Sequence, residues 1–212
     1  MDQLPHMLRA DARVNRDRVL DAARALFAER GLDVTMRDVA RRAGVGPATL
    51  YRRFPAKSLL VREVFDGELR ACRQIVIDGC TDPDPWRGFC SVIERISVLN
   101  ARNQGFVDAF MSTQADTGLF VTHRAELVRL LSGLASRAQA AGGLRRDFVV
   151  DDLLLVLTAG RGLTALPTSQ RVPAARRFAA LNIEAFRATD AVAALPPAPR
   201  LVRAVASVPE GA

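Results

Sequence analysis

Apolar residues recur every three to four positions along almost all of the chain, and no stretch alternates cleanly between apolar and polar. That period predicts helices packed on helices and argues against a sheet. Glycine, proline and capping residues divide the pattern. The first helix is predicted over 15–30, with Val19, Leu20, Ala23, Leu26 and Phe27 on its buried face and Gly31 just past its end. Two short helices follow over 36–43 and 47–53, then a long one over 57–79. In Thr81-Asp82-Pro83-Asp84-Pro85, Asp84 suits the N-cap and Pro85 the first position of a helix over 85–102. Its stripe is Trp86, Phe89, Cys90, Ile93 and Ile96. Further helices are predicted over 104–113, 120–141, 150–165 and 172–188, with a loop over 114–119 and a Gly142-Gly143 stop. Residues 1–14 read as a flexible arm carrying Arg9 and Arg13. The Ala/Pro-rich stretch 189–212 has few large apolar anchors and reads as a disordered tail.

The segment 34–57 is where the pattern becomes specific. Thr35 and Asp38 have the spacing of a capping box, flanked by Val34 and Val39 as a hydrophobic staple. Met36, Val39, Ala40 and Ala43 then line one face. Gly44 supplies the left-handed geometry that a sharp reversal needs. On the third helix Leu50 and Phe54 lie four apart and point inward. Thr49, Arg52 and Arg53 are related by three and four residues, so they share the outward face. Gly46, Pro47 and Ala48 are small enough to admit another backbone closely. Tyr51 offers a hydroxyl suited to a phosphate oxygen. Lys57 places an ammonium beside a helix N-terminus, another phosphate site. Helix, tight turn and helix with a basic outer face is what entry into a DNA major groove requires. A helical hairpin that only fills a core would not need cap, turn and basic face together.

The charge distribution points the same way. The chain has 212 residues, 49% hydrophobic and 25% charged, with a formal net charge of +7. Residues 1–58 hold 12 basic and 7 acidic side chains, net +5; residues 59–212 hold 18 and 16, net +2. A positive field concentrated in the first quarter attracts polyanions. All but one of the basic residues are arginine, a compositional bias that explains Arg over Lys but not the clustering.

The stretches Thr35-Met36-Arg37-Asp38-Val39-Ala40, Ala43-Gly44-Val45 and Ala48-Thr49-Leu50-Tyr51-Arg52-Arg53-Phe54-Pro55-Ala56-Lys57 resemble the DNA-binding domain of the tetracycline-repressor (TetR) family. The resemblance covers roughly residues 15–60. It implies an all-α chain: a three-helix helix-turn-helix domain over 15–56, then a larger helical effector-binding and dimerisation domain over 57–188. It implies Thr35, Tyr51 and Lys57 as phosphate contacts, and Arg37, Pro47, Ala48 and Thr49 as groove-facing residues beside Arg52 and Arg53. The position of Arg53 often carries His in the family; Arg there still suits a phosphate.

The resemblance further implies that the last two helices pair with their copies in a homodimer. Leu153, Leu157 and Leu163 on one, and Phe178, Leu181 and Phe186 on the next, are the candidate interface. The fourth to eighth helices then enclose an effector cavity, for which Phe65, Trp86, Phe89, Phe106, Phe110, Met111, His123, Leu127 and Arg161 are the candidates. An aromatic stripe at helical spacing is also what plain core looks like. His123 lies at the edge of a stripe with Leu127, Leu130 and Leu134, where it serves equally as a structural residue. Arg161 needs an acceptor: a carboxylate, a dimer partner or an anionic ligand. Such a pocket predicts a small apolar or aromatic effector.

Other chemistries find little support. Cys72, Cys80 and Cys90 show no CxxC spacing, which argues against a disulfide scaffold and fits a reducing cytosol. Cys80 and Cys90 flank the break after the fourth helix, and burial as small apolar side chains is a simpler reading than a redox pair. His6 and His123 are far apart, so no metal site is expected and no cofactor. No secretory leader is visible, and the apolar run Leu153 to Gly160 is too short to cross a bilayer. The expectation is a cytoplasmic homodimeric repressor that binds a palindromic double-stranded DNA operator and is released by a small effector. A ligand-independent architectural protein or activator is the alternative, and an all-helical enzyme, without a recognisable catalytic motif, is third.

Overall fold

The computed structural model describes residues 4–111, 118–189, 195–199 and 201, with side chains from Val14 onward except Gln104, Met111, Gly118 and Leu119. The all-α expectation holds. The helices are α1 (Leu4–Arg30), α2 (Met36–Ala43), α3 (Pro47–Arg53), α4 (Lys57–Thr81), α5 (Pro85–Arg102), α6 (Gln104–Met111), α7 (Gly118–Ala140), α8 (Val150–Ala159) and α9 (Thr168–Phe186). Tighter 3-10 turns span Gly31–Asp33 and Gly160–Ala165. No strand occurs among the described residues. One antiparallel bridge joins Leu144 to Arg187.

Three differences from the sequence reading have local causes. Residues 4–14 belong to α1, where a flexible arm over 1–14 is expected. Pro5 sits in the first turn, where a missing N–H is harmless, and Met7, Leu8, Ala10 and Ala12 favour the helix. The helix expected over 150–165 breaks at Gly160 and tightens into a 3-10 turn, since Gly160 and Gly162 are poor helix formers. Helix α9 starts at Thr168, a turn before the expected 172, and tolerates Pro173 inside it. Most of the stretch 189–212 read as a disordered tail lies outside the described residues.

The chain divides into two compact units, Met1–Gly67 and Glu68–Ala212. The division falls inside α4, beyond its first residue where the sequence reading begins the second domain. In the first unit, Val19, Ala23, Leu26 and Phe27 of α1 meet Met36, Val39, Ala40 and Ala43 of α2 and Leu50 and Phe54 around α3, all buried. The first turns of α4 complete this core through Leu60, Val61, Val64 and Phe65. Phe65 lies against Phe27, ring centroids 5.9 Å apart, and Arg24 donates to the Val64 carbonyl at 2.6 Å.

In the second unit α4 and α5 approach through two glycines. A Cβ at Gly88 would lie 2.2 Å from the Gly79 carbonyl oxygen, and one at Gly79 would lie 2.3 Å from Val92. Below that crossing, Phe89 meets Phe148 at 5.3 Å and Phe186 at 6.4 Å, and Phe148 meets Phe186 at 5.0 Å. This aromatic cluster fixes the end of α9 against α5. The Leu144–Arg187 bridge closes it, with Arg145 N–H donating to Phe186 at 2.9 Å and Ala188 N–H to Gly143 at 3.0 Å.

Candidate nucleic-acid interface and internal cavity

The turn between α2 and α3 is built as the sequence demands. The Asp38 N–H donates to Thr35 Oγ1 at 3.2 Å, and the Thr35 N–H donates to Asp38 Oδ2 at 3.2 Å. This reciprocal cap fixes the start of α2. Gly44 ends it at φ 66° and ψ 34°, a left-handed geometry that costs a Cβ-bearing residue free energy. Val45 N–H then reaches back to the Ala40 carbonyl at 3.0 Å. Gly46 and Pro47 open α3, in which Leu50 is the buried residue, and Phe54 closes it.

With Leu50 and Phe54 turned in, Pro47, Ala48, Thr49, Tyr51, Arg52 and Arg53 are all exposed. Tyr51 is 47% exposed, and its hydroxyl makes no hydrogen bond among the described residues. Arg37, on the first turn of α2, is exposed as well. Among the described residues, the guanidinium groups of Arg37, Arg52 and Arg53 make no hydrogen bond or ion pair. Their neighbours differ. Arg41 donates to Asp38 at 2.5 Å, and Arg42 grips Glu29 through two bonds of 2.8 and 2.7 Å. The pairing leaves unmatched positive charge on the outer edge of α2 and α3.

Two expected phosphate contacts are already engaged. Thr35 Oγ1 donates to Asp38 Oδ2 at 2.6 Å as well as accepting from its backbone, so its hydroxyl belongs to the cap. That bonding holds the Asp38 carboxyl below the usual carboxylate range. The Lys57 ammonium donates to the Leu32 carbonyl and is half-buried. Burial pushes its pKa down, partly offset by Asp33. An ammonium has three donors, so Lys57 can serve both Leu32 and an external anion.

The second unit encloses a cavity of about 50 Å³ between α4, α5, α6, α7 and α8. Of the expected effector residues, Phe106, Phe110 and Leu127 line it. Others do not. Phe65 is buried in the first unit against Phe27. Trp86 stacks on Phe89 at 5.9 Å and carries Arg187 over its ring at 5.3 Å, while Phe89 belongs to the aromatic cluster. His123 meets Phe110 edge-on at 6.1 Å without lining the cavity. The side chain of Met111 lies outside the described residues. Arg161 finds its acceptor in Asp108 and borders a smaller, adjoining cavity of about 20 Å³.

The sequence reading missed the rest of the wall: Val76, Ile93, Asn100, Arg124 and Leu131 among others. One signal was available. The buried face of α7 runs Phe120, Arg124, Leu127, Leu131, Leu134, a four-three-four-three step. Grouping His123 with Leu127, Leu130 and Leu134 rotated that face by about one position. Cys72 also lines the cavity, its thiol pushed up to about 12 by burial, which leaves it inert.

The expected dimer residues separate into two sets. Leu153 and Phe186 are buried in their own unit, one on the cavity and one in the aromatic cluster, so neither presents a surface. Leu157, Leu163 and Phe178 are half-buried, and Leu181 is 55% exposed. Leu155, on α8, is 48% exposed and was not expected.

The first unit is therefore a helix-turn-helix head whose second helix shows a cationic, partner-free face. Residues 19–64 match the model of the bacterial regulatory proteins of the tetR family. An HTH-type transcriptional regulator of Staphylococcus aureus is 40% identical over 63 residues, 29% of this chain and 34% of that relative. The matched stretch thus spans about a third of the curated relatives' length. The fold extends further. The ketosteroid transcriptional regulator KstR2 of Mycobacterium tuberculosis superposes with a TM-score of 0.61 at 21% identity, covering 82% of this chain and 95% of that one. A tetR-family regulatory protein from Rhodococcus RHA1 gives 0.62 at 16%, covering 83% and 98%. Over residues 19–64 the chain thus matches the tetR family of bacterial regulatory proteins, and its fold is similar to that of solved regulators of that family.

Proposed function

We propose that the chain is a homodimeric repressor that places α3 in successive major grooves of a palindromic operator and is released by a small molecule held in the second unit. The exposed set Thr49, Arg52 and Arg53, unpaired among the described residues, carries this reading. Thr49 and the small surface of Pro47 and Ala48 meet base edges. Arg37, Tyr51, Arg52, Arg53 and Lys57 meet phosphates or bases along the same groove. Twofold symmetry sets two such helices about 34–36 Å apart on the duplex. The exposed Leu155 and Leu181 on α8 and α9, with Leu157, Leu163 and Phe178 beside them, supply the apolar surface for pairing.

The cavity favours the ligand-responsive reading over an architectural one. It is smaller than the ~300 Å³ at which ligand sites begin, so a ligand has to spread its walls. Cys72 and Val76 of α4 form part of that wall, and Leu60, Val61 and Val64 of the same helix belong to the head's core. A ligand that favours one position of α4 shifts the population of DNA-competent dimers by its differential affinity. Among the described residues no helix is long and apolar enough to cross a membrane, in keeping with action on chromosomal DNA in the cytoplasm.

The test is selection of bound sequences from a random DNA pool, followed by footprinting and competition with small molecules. Two protected half-sites related by a dyad, lost on adding a ligand, are expected. Enrichment of no sequence, or binding to one half-site as a monomer, overturns the proposal.

A further inference from the structure

The cavity between α4, α5, α6, α7 and α8 has a neighbour. Asn100, Val107 and Leu157 line it and also line the adjoining cavity of about 20 Å³. Those three side chains stand between the two spaces, which are furnished differently. Among the described lining residues, the wall of the larger is apolar apart from Asn100, Arg124 and the Cys72 thiol. Arg124 is engaged within the fold: its Nη1 donates to the Phe110 carbonyl at 2.7 Å, and it has a further interaction. The smaller cavity adds Ser97, Arg161 and Thr164. Arg161 is held by Asp108, and the Thr164 hydroxyl donates to the Arg161 carbonyl at 2.7 Å.

Two polar side chains are left over. Ser97 and Asn100 lie one turn apart on α5, and both line the smaller cavity. Both are half-buried, and neither side chain makes a hydrogen bond among the described residues. Beside them on α5, Ile93, Ile96 and Ala101 are buried and apolar. A carboxamide and a hydroxyl can each donate and accept. Leaving that capacity unused at a cavity wall costs free energy that an apolar pair would not, so the two call for an occupant. Both groups are neutral. They match a hydroxyl or carbonyl oxygen, and they give a full charge no counter-ion. About 20 Å³ is room for roughly one water-sized group, which admits one oxygen but not both oxygens of a carboxylate.

We propose that the effector is a compact neutral molecule whose hydroxyl or carbonyl oxygen bonds Asn100 and Ser97, with its apolar body against Val76, Ile93, Phe106 and Leu127. This rests on the larger cavity being the effector site, and it adds a neutral polar end to the apolar ligand expected from sequence. The present volume of about 50 Å³ favours a short or single-ring body.

Calorimetry on the full chain with benzyl alcohol, benzoate and benzylamine, and with hexanol, hexanoate and hexylamine, tests it. Toluene serves as the probe without a polar end. The alcohol of at least one series should bind about tenfold or more tighter than its acid and its amine. Asn100→Leu should weaken that alcohol about three- to tenfold and leave toluene unchanged or tighter. Ser97→Ala should act in the same direction. If Asn100→Leu fails to fold, Ser97→Ala and the wild-type series decide. No binding by either alcohol means that water alone satisfies the pair, and overturns the proposal. So does an acid or amine that matches its alcohol, or an alcohol whose advantage over toluene survives both substitutions. Leu127→Phe, which narrows the larger cavity, separates this proposal from the effector reading. A charged compound that releases DNA and is blocked by Leu127→Phe leaves the effector cavity standing without the neutral end. Alcohol binding that Leu127→Phe leaves intact removes the cavity as the site, and both readings with it.

Discussion

Arginine is used differently in the two units. In the second unit six are matched, Arg73 with Glu126, Arg87 with Asp82, Arg95 with Asp78, Arg145 with Asp147, Arg161 with Asp108 and Arg187 with Glu184, while the exposed Arg102, Arg129, Arg146, Arg176 and Arg177 make no hydrogen bond or ion pair among the described residues. In the head, Arg41 and Arg42 are matched too, but Arg37, Arg52 and Arg53 are not, among the described residues. Exposure alone does not separate these groups, since Arg87 and Arg52 both face solvent. Nor does the absence of an internal acceptor; what sets Arg37, Arg52 and Arg53 apart is that they share the outer edge of α2 and α3. Grouped on one helical pair, they present a concentrated positive charge to an external anion.

That distinction depends on α3 being held with its outer face fixed. Leu50 and Phe54 are its two inward anchors, each 1% exposed. Phe54→Ala removes the larger and should cost about 3–5 kcal/mol of head stability. Hydrogen exchange should show early opening of α2 and α3 with the second unit still protected. Loss of both units together would mean that the division at Gly67 does not describe how the chain unfolds.

The comparison itself is tested by paired substitutions. Arg52→Ala should weaken operator binding by about 1–3 kcal/mol if it reads a base. Arg87→Ala removes an exposed, solvent-screened ion pair of the second unit and should leave DNA affinity unchanged. Gel shifts on one operator measure both. Equal effects would end the claim that a place on the outer edge of α2 and α3 distinguishes binding arginines from structural ones.

How much of this was legible follows from which interactions are local. The head was readable because its signals lie within a few residues of each other. The Thr35–Asp38 cap, the Gly44 turn and the Leu50–Phe54 spacing are each satisfied inside one turn or one reversal, so sequence order is nearly spatial order. The bounds of α2, α3 and α5 came out as the caps predict. The cavity was not readable in the same way. Its wall draws a few residues from each of five helices, and a one-position rotation of α7 was enough to choose His123 over Arg124. Phe89 and Phe186 also have the spacing of a pocket or dimer stripe. Only the tertiary meeting of α5, α9 and Phe148 shows that they bury one another.

Lys57 sharpens the boundary between the two uses of charge, because it has both an internal and an external claim. Its ammonium donates to the Leu32 carbonyl and is partly desolvated. A phosphate contact predicts that Lys57→Ala lowers the salt slope of DNA binding by about 1. A strut to Leu32 predicts a lower melting temperature with the slope unchanged. Both effects together are expected, with the slope measured by titration from low to moderate salt on one operator.

The smallest expected effect concerns His123, where the second unit turns a titratable group inward instead of outward. Its Nε2 is buried with no hydrogen-bond partner among the described residues, and its ring stands edge-on to Phe110. Burial holds its pKa below the ordinary histidine value; Glu126 opposes that and Arg73 adds to it. With the folded-state pKa depressed, the unfolded chain takes up the proton first. The stabilising contribution is then complete above the ordinary value of about 6.5 and is lost as pH falls below it. His123→Phe keeps a ring against Phe110 and removes the titration. Urea midpoints measured from pH 7.5 down to 5.5 should fall in the wild type and fall less in the variant. Wild type and variant differ at this one position, so the difference between the two slopes isolates His123. Identical slopes would mean that the imidazole finds solvent or a partner when charged.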